Sequence, residues 1–418
     1  MPTHERRRRL LIVSYYFPPC AAVAVHRVLG FAKHLPGNGW DVSVIAPTTD
    51  KWEATDEALL SRVPKQTDVV RIDHPNNVLS RLANRYFPYE TWQVRSWRQI
   101  CQHVRDWQPD VVLTTSPPDS VHIIGHRLKR RFGLPWIADL RDPWVLSQSK
   151  VRRQGLRGQV AIRTAHLTMA NADFVAVNTP SYARRLSEIF PKHKDKIGVF
   201  TNGHDGSVTL PPSSPVSISK PVTLLHAGEI YAERDPRPVL TAIQRLAREE
   251  GSPGVRFVLM GRWSEAQFDL PGAIRAAGIE DRVDLIAQVP HKQAIEAMQS
   301  SDILVLLQLD DSPSIPAKLY EYISIGKPIL ALANPRSDIG WVLETSGVTH
   351  RLVAPKDTDG VMRAIRDLVT AIRNGNVKTA SADRIAMFSR AQVAARLAAK
   401  METLVASEQA QQKLNVGA

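Results

Sequence analysis

Cysteine is almost missing from this chain: Cys20 and Cys101 are the two in 418 residues. Two cysteines supply neither a disulfide framework nor metal-ligand spacing, and they suit a reducing compartment. Long apolar runs are missing as well. The basic start followed by Leu10–Phe17 imitates a secretory signal, but the run stops at Pro18-Pro19 without a small-residue cleavage site. It is expected to be a buried first strand. No stretch reaches the ~18–20 apolar residues that a membrane span needs. The G-x-G-x-x-G and Walker patterns do not occur, which withdraws support from dinucleotide and P-loop readings. Asp310-Asp311 has no histidine or third carboxylate nearby and reads as a loop and helix cap, so no metal site is expected.

What is present is size and basic charge. At 418 residues with 43 % apolar content, two domains of roughly 200 residues are expected. Residues 1–202 hold 30 Lys and Arg against 17 Asp and Glu, whereas residues 203–418 hold 24 of each. The whole net charge of +13 therefore belongs to the first half, in clusters such as Arg6–Arg9, Lys129–Arg131, Arg152-Arg153 and Arg184-Arg185. Such a surplus is a solvated face, or it meets an anionic membrane or a nucleic acid. The first half has no zinc pattern and no aromatic-studded RNA-binding signature, so the membrane surface is favoured over nucleic acid.

Short apolar runs alternate with amphipathic stretches. In the first half the expected strands are residues 9–17, 41–47, 110–116, 135–140 and 174–179, with helices over 25–35, 121–132 and 180–189. The pattern restarts with strands at 222–228, 256–262, 283–289, 302–309, 327–332 and 349–354. Alternation of this kind predicts α/β architecture, two doubly wound parallel-sheet domains facing a central cleft. The Pro-, Ser- and Gly-rich segment 203–221 reads as a linker between a domain at 1–202 and one at 222–380. A final helix is expected over 381–405, followed by a flexible tail at 406–418.

In such sheets ligands sit beyond the carboxyl ends of the strands. After the strand ending at Gly228, the loop "GEIYAERDPRP" offers Arg234, which can fork onto a phosphate while glycine admits backbone amides. An ordinary turn with surface arginines explains the same residues. Gly261 likewise ends a strand. In "IPAKLYEYISIG", Lys318 and Glu321 stand three residues apart on a helix that starts at the end of an apolar strand. They are either a surface pair worth a few tenths of a kcal/mol or a ligand grip, with Glu321 on ribose hydroxyls and Lys318 on a diphosphate. In the first half, "ADLRDPW" gathers Asp139, Arg141 and Asp142 at a strand end, where they bind hydroxyls, stabilise a leaving phosphate, or merely pin a loop. His26 and Arg27 open the first helix near the cleft.

Taken in order, "YYFPP...HR", "GWDVSVIAP", "ADLRDPW", "FTNGHD", "LLHAGEIYAERDPRPVLTAI", "VLMGRW", "VPHKQAIEAMQSSDILVLL" and "IPAKLYEYISIGKPILAL" resemble the GT-B fold glycosyltransferases, most closely the family 4-like bacterial sugar transferases. The resemblance implies two Rossmann-like domains, with the second holding a nucleotide-diphosphate-sugar donor and the first facing the acceptor. A final helix returns to the first domain. It implies sugar transfer of the hexosyltransferase kind, with retention and without an obligatory metal or other cofactor, to a lipid-linked or cell-surface polysaccharide acceptor. The setting would be cytoplasmic, at the inner face of the plasma membrane, with no nucleic-acid partner. Residue by residue, it implies that Glu321 holds the ribose as the second acid of E-x7-E. Gly228, Gly261, Arg234 and Lys318 would lie along the nucleotide and diphosphate, and Val289 near the base. Arg141 and Asp142 would face the transferred sugar as catalytic residues, with Arg27 and Asp139 on the acceptor side. The chain departs from the pattern at Pro313, where the first acid of E-x7-E belongs, so the donor sugar is not legible. It departs again at Cys20–Ala24, where a glycine-rich loop is usual. Two alternatives of other classes are a nucleotide-sugar 2-epimerase of the same fold and a non-catalytic basic protein that binds membrane or nucleic acid.

Overall fold

A computed structural model describes residues 6–48, 54–73, 88–142, 156–206, 220–231, 234–249, 254–265, 268–308, 314–378 and 380–416. The chain divides into two compact units, one joining Met1–Asp205 to Arg390–Ala418 and the other formed by Gly206–Ser389. Most of the expected linker, residues 207–219, lies outside the described residues, as do Asp310, Asp311 and Pro313.

The described strands of the first unit are β1 (Arg8–Ser14), β2 (Trp40–Pro47), β3 (Asp68–Ile72), β4 (Val111–Ser116), β5 (Trp136–Leu140), β6 (Phe174–Val177) and β7 (Ile197–Val199). They form one parallel sheet in the order β3-β2-β1-β4-β5-β6-β7. Successive residues of β1 point to opposite faces. Leu10 and Ile12 enter a core shared with the helix Val25–His34, while Leu11 and Val13 enter a second core with Trp92, Ile124 and Leu128. Both faces are covered, so the strand reads as an unbroken apolar run rather than an alternation.

The helix Arg390–Val416 belongs to this unit. Val393, Ala394, Leu397, Ala398, Met401 and Val405 bring a stripe of helical period into the first of these cores. Each larger apolar side chain buried this way contributes on the order of 1.5–3 kcal/mol. The helix starts later than expected, because Ala382–Ala386 forms a separate short helix and Arg390 N bonds back to His204 O. It also continues through the residues expected as a loose tail, since Ala, Gln, Glu and Lys favour helix even without burial.

The second unit holds β8 (Val222–Ala227), β9 (Val255–Met260), β10 (Val283–Ile286), β11 (Ile303–Leu307), β12 (Ile329–Leu332) and β13 (His350–Val353). They are all parallel, in the order β10-β9-β8-β11-β12-β13. Strand order reverses between β8 and β11, and a crevice opens at such a switch point beyond the carboxyl ends.

Candidate functional site

β8 and β9 end side by side in glycine. Gly228 N donates to Met260 O at 2.8 Å, and Gly261 N donates to Ile286 O at 2.9 Å, so the ladder carries both loops outward together. The approach tolerates no side chain at Gly261, where a Cβ would stand 1.9 Å from Gly228 O. Above these ends lies a pocket of about 240 Å³ whose walls include Gly228, Gly261, Val289, His291, Ala294 and Lys318.

The helix Ala317–Ile325 supplies one wall. Pro316 precedes it with a fixed φ, and Gly326 ends it in the left-handed region at φ 76°. Its Leu319, Tyr320, Tyr322 and Ile323 are buried, which turns Lys318 and Glu321 toward the pocket side. Tyr322 locks the helix to the sheet, its hydroxyl accepting from Ala227 N at 3.0 Å and donating to Val305 O at 3.4 Å.

Lys318 and Glu321 do meet, with Nζ 3.0 Å from Oε2. A third residue joins them that the sequence reading did not single out: His291 Nε2 lies 3.1 Å from Glu321 Oε1. Its one sequence signal is its place directly after Val289-Pro290, at the first position of the helix His291–Ser300. Burial works to raise the Glu321 pKa, but the His291 hydrogen bond and the Lys318 charge prevail and hold it down at about 2. The carboxylate is thus ionised and purely an acceptor. Glu321 sits behind His291 and Lys318, which themselves line the pocket. His291 is 67 % exposed on its outer side.

Arg234 lies in the β8 exit loop with its guanidinium 4.9 Å above the Tyr231 ring, an arrangement that holds the cation without neutralising it. The neighbouring Arg237 is occupied by Asp235. Among the described residues no group of three or more His, Cys, Asp or Glu stands together to hold a metal ion.

In the first unit the expected site residues separate into two pairs. Arg141 and Asp142 sit just past β5, with Nη2 to Oδ2 at 3.3 Å and Asp142 45 % exposed. Arg27 and Asp139 have a different situation from the acceptor-facing one expected of them. Their side chains are 5 % and 1 % exposed and meet in a two-point ion pair, Nη2 to Oδ1 at 2.7 Å and Nε to Oδ2 at 2.9 Å. Thr115 Oγ1 donates to Asp139 Oδ2 at 2.7 Å, and Arg27 Nη1 donates to Thr201 O at 2.9 Å. These bonds all lie inside the unit, where the buried pair pins the first helix to β5.

Comparison with known proteins agrees with this architecture. The family model described as a glycosyl transferase 4-like domain matches residues 24–203, and that of the glycosyl transferases group 1 matches residues 221–371. A D-inositol 3-phosphate glycosyltransferase of Nocardia farcinica is 23 % identical over 209 residues, which are 46 % of this chain and 43 % of that relative's length. Among solved structures, sucrose-phosphate synthase from Thermosynechococcus elongatus superposes with a TM-score of 0.63 at 16 % identity, covering 96 % of this chain and all of the other. HepE of Anabaena, solved in complex with UDP, gives 0.64 at 16 % identity over 94 % of this chain and all of its own. The lipopolysaccharide outer core galactosyltransferase WaaB gives 0.63 at 13 % identity over 96 % of this chain and 99 % of its own. With both units matched in order by glycosyltransferase domains, the chain belongs to the family 4-like glycosyltransferases of the GT-B fold.

Proposed function

We propose that the second unit holds a nucleotide-diphosphate-sugar and that the chain moves its sugar, a hexose, to a lipid-linked or cell-surface polysaccharide acceptor. The observation that carries this reading is the ionised Glu321 carboxylate beside a glycine-walled pocket with Lys318 and Arg234 close by. A carboxylate is a pure acceptor and a ribose edge offers two donors, so once His291 swings out the pair is complementary. Val289 lines the part of the pocket assigned to the base. Gly228 and Gly261 leave the diphosphate room to approach backbone, and Arg234, Lys318 and the start of the helix Ala317–Ile325 meet its charge as the bond to the sugar breaks. The HepE structures with UDP and with UDP-glucose support a donor of this class.

Transfer proceeds with retention and needs no metal, because fixed cations take the metal's part at the leaving group. The acceptor hydroxyl attacks on the face the diphosphate leaves, and the leaving phosphate takes its proton. Arg141 and Asp142 serve the transferred sugar from the first unit. The basic surplus of residues 1–202 docks the protein on the cytoplasmic face of the plasma membrane, and no described helix is long and apolar enough to cross it.

The test is calorimetric titration with UDP, GDP and ADP and their sugar conjugates. One of them is expected to bind, and Glu321→Ala to weaken it by about 1.5–3 kcal/mol, roughly 10- to 150-fold. Affinity unchanged within threefold would remove the ribose assignment, and loss of turnover on chelation would remove metal independence.

A further inference from the structure

β8 carries a buried histidine. His226 is 3 % exposed, and its Nδ1 lies 3.0 Å from Val305 O. A carbonyl oxygen only accepts, so Nδ1 bears the hydrogen, and in a neutral ring Nε2 is then a bare lone pair. The ring is neutral: burial above all, aided by the Arg234 and Lys318 charges and resisted by the Val305 bond, pushes its pKa down to about 4. Nε2 is buried without a hydrogen-bond partner among the described residues. Leaving such an acceptor unfilled is unfavourable, because it has lost water and gained no donor.

That nitrogen borders the space over Gly228. A Cβ on Gly228 would have His226 Nε2 at 3.4 Å and Arg234 Nη1 at 3.9 Å as its nearest polar neighbours. Glycine therefore leaves an atom-sized niche at the pocket wall with an acceptor on one side and a donor on the other. Arg234 has no ion pair among the described residues, and its guanidinium keeps donors to spare beyond a phosphate contact. An occupant must donate to Nε2 and accept from Arg234. An unprotonated phosphate oxygen fails the first condition and an ammonium fails the second. A hydroxyl meets both.

Resting on the nucleotide-sugar reading above, in which Glu321 takes the ribose, we propose that His226 and Arg234 read one hydroxyl of the transferred sugar over Gly228. The pair supplies recognition of the sugar in a chain that has Pro313 at the position of the family's usual acid. His226 is a specificity-determining residue here: it selects a sugar presenting a hydroxyl at that point and takes no proton from it.

Calorimetry on the full chain distinguishes the possibilities, with UDP set against UDP-glucose and GDP against GDP-mannose. His226→Leu is expected to weaken the sugar conjugate about tenfold while the bare diphosphate stays within threefold. Gly228→Ala fills the niche without touching the imidazole and has ordinary van der Waals room, so it guards against misfolding of the first variant. Its loss on the sugar conjugate is again expected to exceed its loss on the diphosphate. Equal losses on diphosphate and conjugate in both variants would overturn the proposal, as would no loss in either, which would mean the niche holds only water. If the native chain binds none of UDP, GDP and ADP or their sugar conjugates, the nucleotide-sugar reading itself falls and the niche reading falls with it.

Discussion

Replacing Asp139 by asparagine keeps the volume of the side chain and removes its charge from a place with 1 % exposure. Asparagine offers one acceptor oxygen where the carboxylate offered two. Its NH₂ group must then face Arg27 or Thr115, both donors to Asp139 in the native structure. Arg27 keeps its charge, with its side chain 5 % exposed and its remaining bond to Thr201 O. Breaking one side of a buried pair in this way costs about 3–5 kcal/mol. For a unit of this size each kcal/mol moves the melting midpoint by about 2–4 °C, so the transition of the first unit is expected to fall by about 6–20 °C. Differential scanning calorimetry of the full chain measures it. The double replacement Arg27→Met with Asp139→Leu should recover most of the loss, because no uncompensated charge remains. A loss below about 1 kcal/mol is the size expected of a solvated pair. That result would refute the burial reasoning and return Arg27 and Asp139 to the acceptor side.

Gly261→Ala should abolish binding of the nucleotide that binds the native chain and lower stability by about 1–3 kcal/mol, since its Cβ meets Gly228 O at 1.9 Å. Gly37→Ala meets nothing within 4 Å and serves as the control that should change neither. His122 is buried, 2.8 Å from Thr114 Oγ1, and burial lowers its pKa from 6.5 to about 3. The unfolded chain binds this proton first, so the contribution is complete above pH 6.5 and erodes as pH falls toward 3, by about 1.4 kcal/mol per pH unit. Urea unfolding of native protein and His122→Gln between pH 6.5 and 4.5 should give a shallower slope for the variant; equal slopes would refute the assignment.

The parallel sheets were legible because strands covered on both faces leave uninterrupted apolar runs, as in Leu10–Val13 and Ile303–Leu307. β3 escaped notice: of its residues Asp68–Ile72 at a sheet edge, the first is exposed, the next three are half-buried and only Ile72 is buried, so "DVVRI" carries a weak signal. β7 is three half-buried residues at the other edge. At the site, Lys318 and Glu321 were legible because helical spacing puts them on one face. His291 meets Glu321 across 30 residues, and Arg27 meets Asp139 across 112. No periodicity encodes such contacts. Only the folded sheet brings those segments together, and only burial shows that Arg27 and Asp139 satisfy one another. His226 was hidden for the opposite reason, a polar residue inside an apolar strand whose use depends on the nitrogen left over.

The helix Arg390–Val416 also bears on the order in which the protein takes shape during synthesis. The second unit is one continuous segment and is fully translated before the first unit has its last part. Until Val393, Leu397, Met401 and Val405 emerge, Val28, Leu29 and the face of β1 that bears Leu10 and Ile12 have no cover from that side. A nascent chain halted before Arg390 therefore presents an open apolar face while the second unit is already complete, a vulnerable intermediate for aggregation and a natural client for chaperones. The helix Arg390–Val416 is the closing piece of a fold begun about 380 residues earlier at β1.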